Sequence, residues 1–172
     1  SGHGVTWLML DGFGLCGRVP LSLCLLHNLT DLRLPNNELM GAIPSDIGEL
    51  IQLETLTLSN NKLSGAVPDA LRKLKKLKKV SLDSNQLSGE LPACLADLRE
   101  LELLNLGANR FDGPIPPFIG HLCKLRELFL DKNRLSGELP GTMAGLKHLS
   151  VLDLSRNKLG WLVPTWLGGL AS

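Results

Sequence analysis

The chain has 172 residues, 44% of them hydrophobic, and its 18 Lys and Arg against 17 Asp and Glu leave a formal net charge of +1. That balance excludes a whole-molecule field able to draw in nucleic acid or an anionic membrane, so a partner must be selected by local patches. The sequence holds no run of about 18 consecutive apolar residues, and no charged start leads into an apolar stretch, so this segment is not expected to insert into a membrane. Ser1 and Gly2 are set aside as a candidate expression scar.

One spacing of Leu, Asn, Gly and Pro returns every 24 residues, which divides the chain into back-to-back repeats at 3–26, 27–50, 51–74, 75–98, 99–122, 123–146 and 147–170. Position 8 of the frame is always Leu and position 18 always Pro; position 6 is Leu except Val80, and position 13 is Leu except Phe111. A period this regular predicts a single repeat array, since no one unit can bury its own apolar face.

Within a unit, apolar residues at positions 6 and 8 alternate with polar neighbours, the mark of a short strand with one face buried. Identical units side by side pair those strands in parallel. Asn follows at position 11 (Asn37, Asn61, Asn85, Asn109, Asn133, Asn157). Its amide, with donors and an acceptor, is suited to bridge neighbouring turns that have left the ladder. Gly at position 15 suits a turn with positive φ, and Pro at position 18 opens a short helical segment with inward Leu, Ile or Met at 21 and Leu at 24. Positions 3, 6, 8, 13, 17, 21 and 24 form the expected interior.

The string Leu53-x-x-Leu56-x-Leu58-x-x-Asn61-x-Leu63-Ser64-Gly65-x-Val67-Pro68-x-x-Leu71 resembles the plant-type leucine-rich repeat of receptor-like kinase ectodomains and polygalacturonase inhibitors. The resemblance covers 3–170. It implies an α/β repeat solenoid: a right-handed curved array with a concave parallel β-sheet, convex 3-10 segments and a second short strand near the Ser-Gly-x-Ile-Pro segment. It also implies a protein or peptide recognition surface, commonly concave. By resemblance the compartment is extracellular or the cell surface; absent cysteine caps, one sequon and scattered thiols keep the cytoplasm as the alternative.

In the first repeat, Trp7 and Met9 stand outward on the strand, a second candidate ligand patch or a cover for the exposed coil. Phe13 replaces the position-11 Asn, and its ring is expected to fill space there. Cys16 and Cys24 share a coil, but disulfide geometry is restrictive, and two small residues near the interior is the preferred reading. Asn28-Leu29-Thr30 is a glycosylation sequon that also satisfies the repeat pattern. His3, His27, His121 and His148 fall at the edges. His121-x-Cys123 supplies at most half a metal site, so no metal or cofactor is expected. No nucleophile, base and acid share a strand face, and no phosphate loop is present, which argues against an enzyme.

Columns of equivalent positions separate scaffold from site. Position 4 alternates as Glu54, Lys78, Glu102, Arg126, the choice of cross-strand pairs stabilising themselves. The run Lys73, Lys75, Lys76, Lys78, Lys79 is spread over several positions, with Glu54 and Glu102 beside Lys78 and Glu100 beside Lys76, so a solvated face is expected rather than a nucleic-acid groove. Position 12 (Lys62, Gln86, Arg110, Arg134, Lys158) is read as a basic row with no opposite charge in its column. Lys132 and Arg156 at position 10 add to it, Asp83, Asp131 and Asp153 supply acceptors, and Phe129 is the strand face's one Phe. An exposed aromatic flanked by Arg and Asp has hot-spot composition. The candidate ligand-binding residues are therefore Arg110, Phe129, Asp131, Lys132, Arg134, Asp153, Arg156 and Lys158. The alternative is a structural array whose ends dock on flanking domains or other copies, with Trp161 and Trp166 as candidates for end-to-end self-contact.

Overall fold

The structure is a computed structural model, and it describes residues 4–160, 164, 165 and 168. Each coil opens with a three-residue strand: Trp7–Met9, Asp31–Arg33, Thr55–Thr57, Lys79–Ser81, Leu103–Asn105, Glu127–Phe129 and Val151–Asp153. These form one seven-stranded sheet in chain order. All its pairings are parallel and join residues 24 apart, such as Leu32 with Leu56 and Leu128 with Leu152. A short second strand follows in every coil, five of them in one sheet from Cys16–Gly17 to Arg110–Asp112 and two, Ser136–Gly137 and Lys158–Leu159, in another. The far side is made of five-residue 3-10 helices, Leu21–Leu25, Ser45–Glu49, Asp69–Lys73, Ala93–Asp97, Pro117–His121 and Gly141–Gly145. The α/β solenoid expected from the repeat is the observed architecture, including the second strand.

The proline before each 3-10 helix sits at the N-cap in extended backbone, as at Pro68 with φ −69° and ψ 136°. The ring presets the angle at which the chain leaves the second strand. In the coil 51–74 all seven interior positions (Leu53, Leu56, Leu58, Leu63, Val67, Leu71, Leu74) are buried. Burial weakens at both described ends, where Leu8, Leu10, Leu152 and Leu154 are only half-buried. Phe13 does not fill the first coil: it is 69% exposed. Among the described residues no coil packs on its outer side, and the ring meets solvent there.

The position-11 asparagines tie coil to coil. Asn109 Nδ2 donates to Leu82 O of the preceding coil at 2.9 Å and to Leu106 O and Gly107 O of its own at 3.2 and 3.1 Å. Its Oδ1 accepts from Leu87 N at 3.0 Å. The same arrangement recurs at Asn61 and Asn133. Just before each asparagine the backbone is left-handed without glycine at Asn36, Asn60, Ser84, Ala108, Lys132 and Arg156 (φ 50 to 56°). The position-15 glycines also take positive φ, from 73° at Gly113 to 89° at Gly89, as their residue type predicts.

Replacing Asn109 with Ala strips partners from one buried N–H and three carbonyls, so Asn109→Ala is expected to lower stability by at least about 2 kcal/mol in urea unfolding. A loss under about 0.5 kcal/mol would show that the bridge is dispensable.

Candidate ligand-binding face

Side chains at one frame position meet across coils, with strands about 4.8 Å apart. Four of the nine ion pairs among the described residues join residues 24 apart, including Lys73 with Glu49 at 2.8 Å, Lys78 with Glu54 at 2.7 Å and Lys124 with Glu100 at 2.6 Å. Four of the five lysines in the run are paired, Lys79 having no such partner among the described residues. Lys75 reaches Asp97 at 2.8 Å, and Lys76 donates to Gln52 Oε1 at 2.5 Å. Lys76 was expected beside Glu100; that carboxylate is held instead by Lys124, one coil further on. The Glu54 hydrogen bond and charge raise the Lys78 pKa above its ordinary value.

The position-12 column needs a correction. It begins with Glu38, one coil before Lys62, and Lys62 Nζ lies 3.1 Å from Glu38 Oε2. Arg110 Nη2 donates to Gln86 Oε1 at 3.0 Å. The uncompensated stretch is thus confined to Arg110, Arg134 and Lys158. Arg134 and Lys158 form no ion pair among the described residues, and all three are exposed.

Next to that row, Lys132 and Arg156 project from left-handed backbone. Asp131 is the less exposed partner of Lys132, at 3.4 Å. Its carboxylate lies over Gly107, where a Cβ would collide with Oδ1. Gly107 escaped notice in the sequence, although a glycine one coil before an aspartate was the available signal. Phe129 pairs in register with Asn105 on one side and Asp153 on the other and is half-buried rather than exposed. Asp153 Oδ1 accepts from Ser155 N at 2.9 Å. The Ser155 hydrogen bonds, then the charges of Lys132 and Arg156, hold its pKa below the ordinary value. The eight predicted residues therefore fall on frame positions 7, 9, 10 and 12 of the last three coils, with five cations outnumbering two carboxylates.

At the other end Trp7 is 61% and Met9 44% exposed, beside Asp31 and Arg33 in register. Arg33 grips Asp31 through Nε at 2.6 Å and Nη2 at 3.2 Å. That fork is readable in the sequence as Asp-x-Arg on one strand face. Trp161, Trp166 and His3 lie outside the described residues. The four thiols are free; Cys16 and Cys123 are exposed, Cys24 and Cys94 buried. Burial pushes the Cys94 thiol up to about 11. Among the described residues no group of three or more His, Cys, Asp or Glu is placed to hold a metal ion.

The sequence matches the family described as leucine rich repeat over 27–87, 51–111 and 123–172, and the chain belongs to that family. It is similar to the structure of the plant peptide hormone receptor RGFR1 in complex with RGF2, with 35% identity and a TM-score of 0.91 over 96% of this chain and 26% of that one. It is similar to the Arabidopsis receptor kinase HAESA in complex with the peptide hormone IDA and the co-receptor SERK1, with 29% identity and a TM-score of 0.78 over 96% of this chain and 32% of that one. It also resembles a pollen receptor kinase 3, with 36% identity and a TM-score of 0.84 over 94% of this chain and 78% of that one. The chain thus spans about a quarter to a third of the first two receptor chains. No curated protein matches it.

Two measurements check this geometry. A thiol reagent on the native protein is expected to label Cys16 and Cys123 quickly and Cys24 and Cys94 only on unfolding; equal labelling of all four would contradict the burial. The Asp153 carboxyl, followed by NMR, is expected to titrate below the ordinary 3.8. A depressed folded-state pKa stabilises the fold above the unfolded pKa, and that contribution is lost as pH falls through the folded value. A midpoint at or above 3.8 would show that Ser155, Lys132 and Arg156 do not act on it.

Proposed function

We propose that residues 3–170 form one continuous array that serves as a non-catalytic recognition module, binding an acidic protein or peptide segment along its last three coils. The observation that carries this is the cationic strip of Arg110, Lys132, Arg134, Arg156 and Lys158 beside Phe129. Lys62, Lys73, Lys78 and Lys124 are each matched by a carboxylate one coil away, whereas Arg134 and Lys158 stand in adjacent coils with no ion pair among the described residues. Such a column costs the free protein a little and is relieved by an anionic partner. Asp131 and Asp153 orient the strip and supply acceptors for ligand N–H groups, while Phe129 offers an apolar anchor. A rigid sheet limits the ordering cost on binding.

The similarity to receptors captured with peptide hormones supports a peptide or protein as ligand and a larger receptor or signalling protein as the context. The same similarity supports the extracellular side of a membrane as the compartment. A second, structural reading draws on the first coil, where Trp7, Phe13, Leu21 and Leu25 are 61 to 69% exposed: a flanking domain or another copy docks there.

In an array of immobilised peptides, binders are expected to be enriched in Asp and Glu and to weaken as salt rises. A combined Phe129→Ala and Arg134→Ala protein is expected to lose at least about 2 kcal/mol, roughly 30-fold in affinity. A double variant that folds normally and binds the same peptides unchanged would remove this strip from the function.

A further inference from the structure

We infer that Asn28 is an N-glycosylation acceptor, and that its glycan covers an apolar flank of the first coils while leaving the ligand strip open. This rests on the proposed extracellular setting. Asn28-Leu29-Thr30 is the one Asn-x-Ser/Thr sequence in the chain. Thr30 serves two purposes that explain the triplet without separating them: its Oγ1 donates to Thr6 O at 2.9 Å in the folded coil, and in the unfolded chain it completes the acceptor sequence.

Three observations distinguish Asn28 from an ordinary repeat residue. First, it is exposed at a turn, whereas most asparagines at position 11 are buried in the ladder. Second, its neighbour in the preceding coil is Gly4, where a Cβ would lie 2.7 Å from Asn28 Nδ2. Later coils carry Gln52, Lys76, Glu100, Lys124 and His148 at this position, and two pairs of them bond along the column. At Gly4 no side chain competes for that room, so the Asn28 amide itself lies there, exposed and with no side-chain hydrogen bond among the described residues. Third, exposed apolar side chains lie near it in the frame: Leu25 is 69%, Ile51 52% and Val5 48% exposed. They occupy frame positions 23, 1 and 3 of coils at or beside that of Asn28, close to its position 2. Large apolar side chains on a solvated flank are an association hazard that a bulky hydrophilic sugar removes. The strand positions 5 to 7 separate this flank from the position-12 strip.

In the transfer, Asn28 Nδ2 attacks C1 of an oligosaccharide carried on a lipid pyrophosphate. The C1–N bond forms, the C1–O bond to the pyrophosphate breaks with its electron pair leaving on the lipid carrier, and the amide loses a proton.

The test directs the chain into the endoplasmic reticulum of cultured mammalian cells with a cleavable leader and measures the mass of lumenal or secreted protein before and after peptide N-glycosidase. One enzyme-removable glycan is expected, absent from Asn28→Gln and Thr30→Ala and retained in Thr30→Ser, which keeps the hydroxyl. A lumenal or secreted chain of bare polypeptide mass, or a glycan that persists in Asn28→Gln, would overturn the inference. The setting is tested separately by treating intact source cells with protease. Native protein that is protected in the cytosol and bare, while the lumenal chain is glycosylated, contradicts the extracellular reading alone.

Discussion

The asparagine bridge is the interaction on which the array depends. Where the backbone turns out of the strand, its N–H and C=O groups lose their ladder partners, and the coil interior is too apolar to supply others. One primary amide closes both sides of that gap, donating into the preceding coil and its own and accepting from the preceding coil's second strand, as Asn61 does with Leu34 O, Leu58 O and Leu39 N. Because the bridge always spans adjacent coils, stability is a nearest-neighbour property, and among the described residues apolar exposure concentrates in the first coil, where Phe13 stands in place of Asn.

With the coil held by recurring Leu, Asn, Gly and Pro, the outward positions are free to vary, and their chemistry sorts into two kinds. Charges that find a partner one coil away, such as Lys78 on Glu54, add little individually, since exposed pairs contribute only about 0–1 kcal/mol. Their effect is to cancel the local field. The strip of Arg110, Arg134 and Lys158 with Lys132 and Arg156 is not cancelled to the same degree, which is why it stands out on a chain of net charge +1. The rigid register sets those cations at fixed spacing, with Phe129 half-buried on a strand of the same coils.

The buried set was legible because each interior position returns with the repeat, and a period of 24 residues leaves no freedom in which face turns inward. The second strand was legible only through resemblance, since two to five residues around Ser64-Gly65 carry no alternation strong enough to declare it. The left-handed turn before each asparagine was not legible at all. Ala108, Lys132 and Arg156 have no preference for positive φ, and the conformation is imposed by the coil's closure. Of the candidate site, the residues were readable as columns, but the Glu38 partner of Lys62 stands one coil before the basic residues, where it neutralises only the first of them. The room that Gly107 makes for Asp131 depends on side-chain packing between coils, which single positions do not express.

Hydrogen exchange of the asparagine side-chain amides tests the dependence on the bridge most directly. The Nδ2 protons of Asn61, Asn109 and Asn133, and the amide protons of Leu39, Leu87 and Phe111 that donate to their Oδ1 atoms, are predicted to exchange only through opening of the surrounding coils, at rates that match those of the central strand amides. Exchange of those protons at the rate of exposed amides, while the central strands stay protected, would show that the coils hold together without the asparagines.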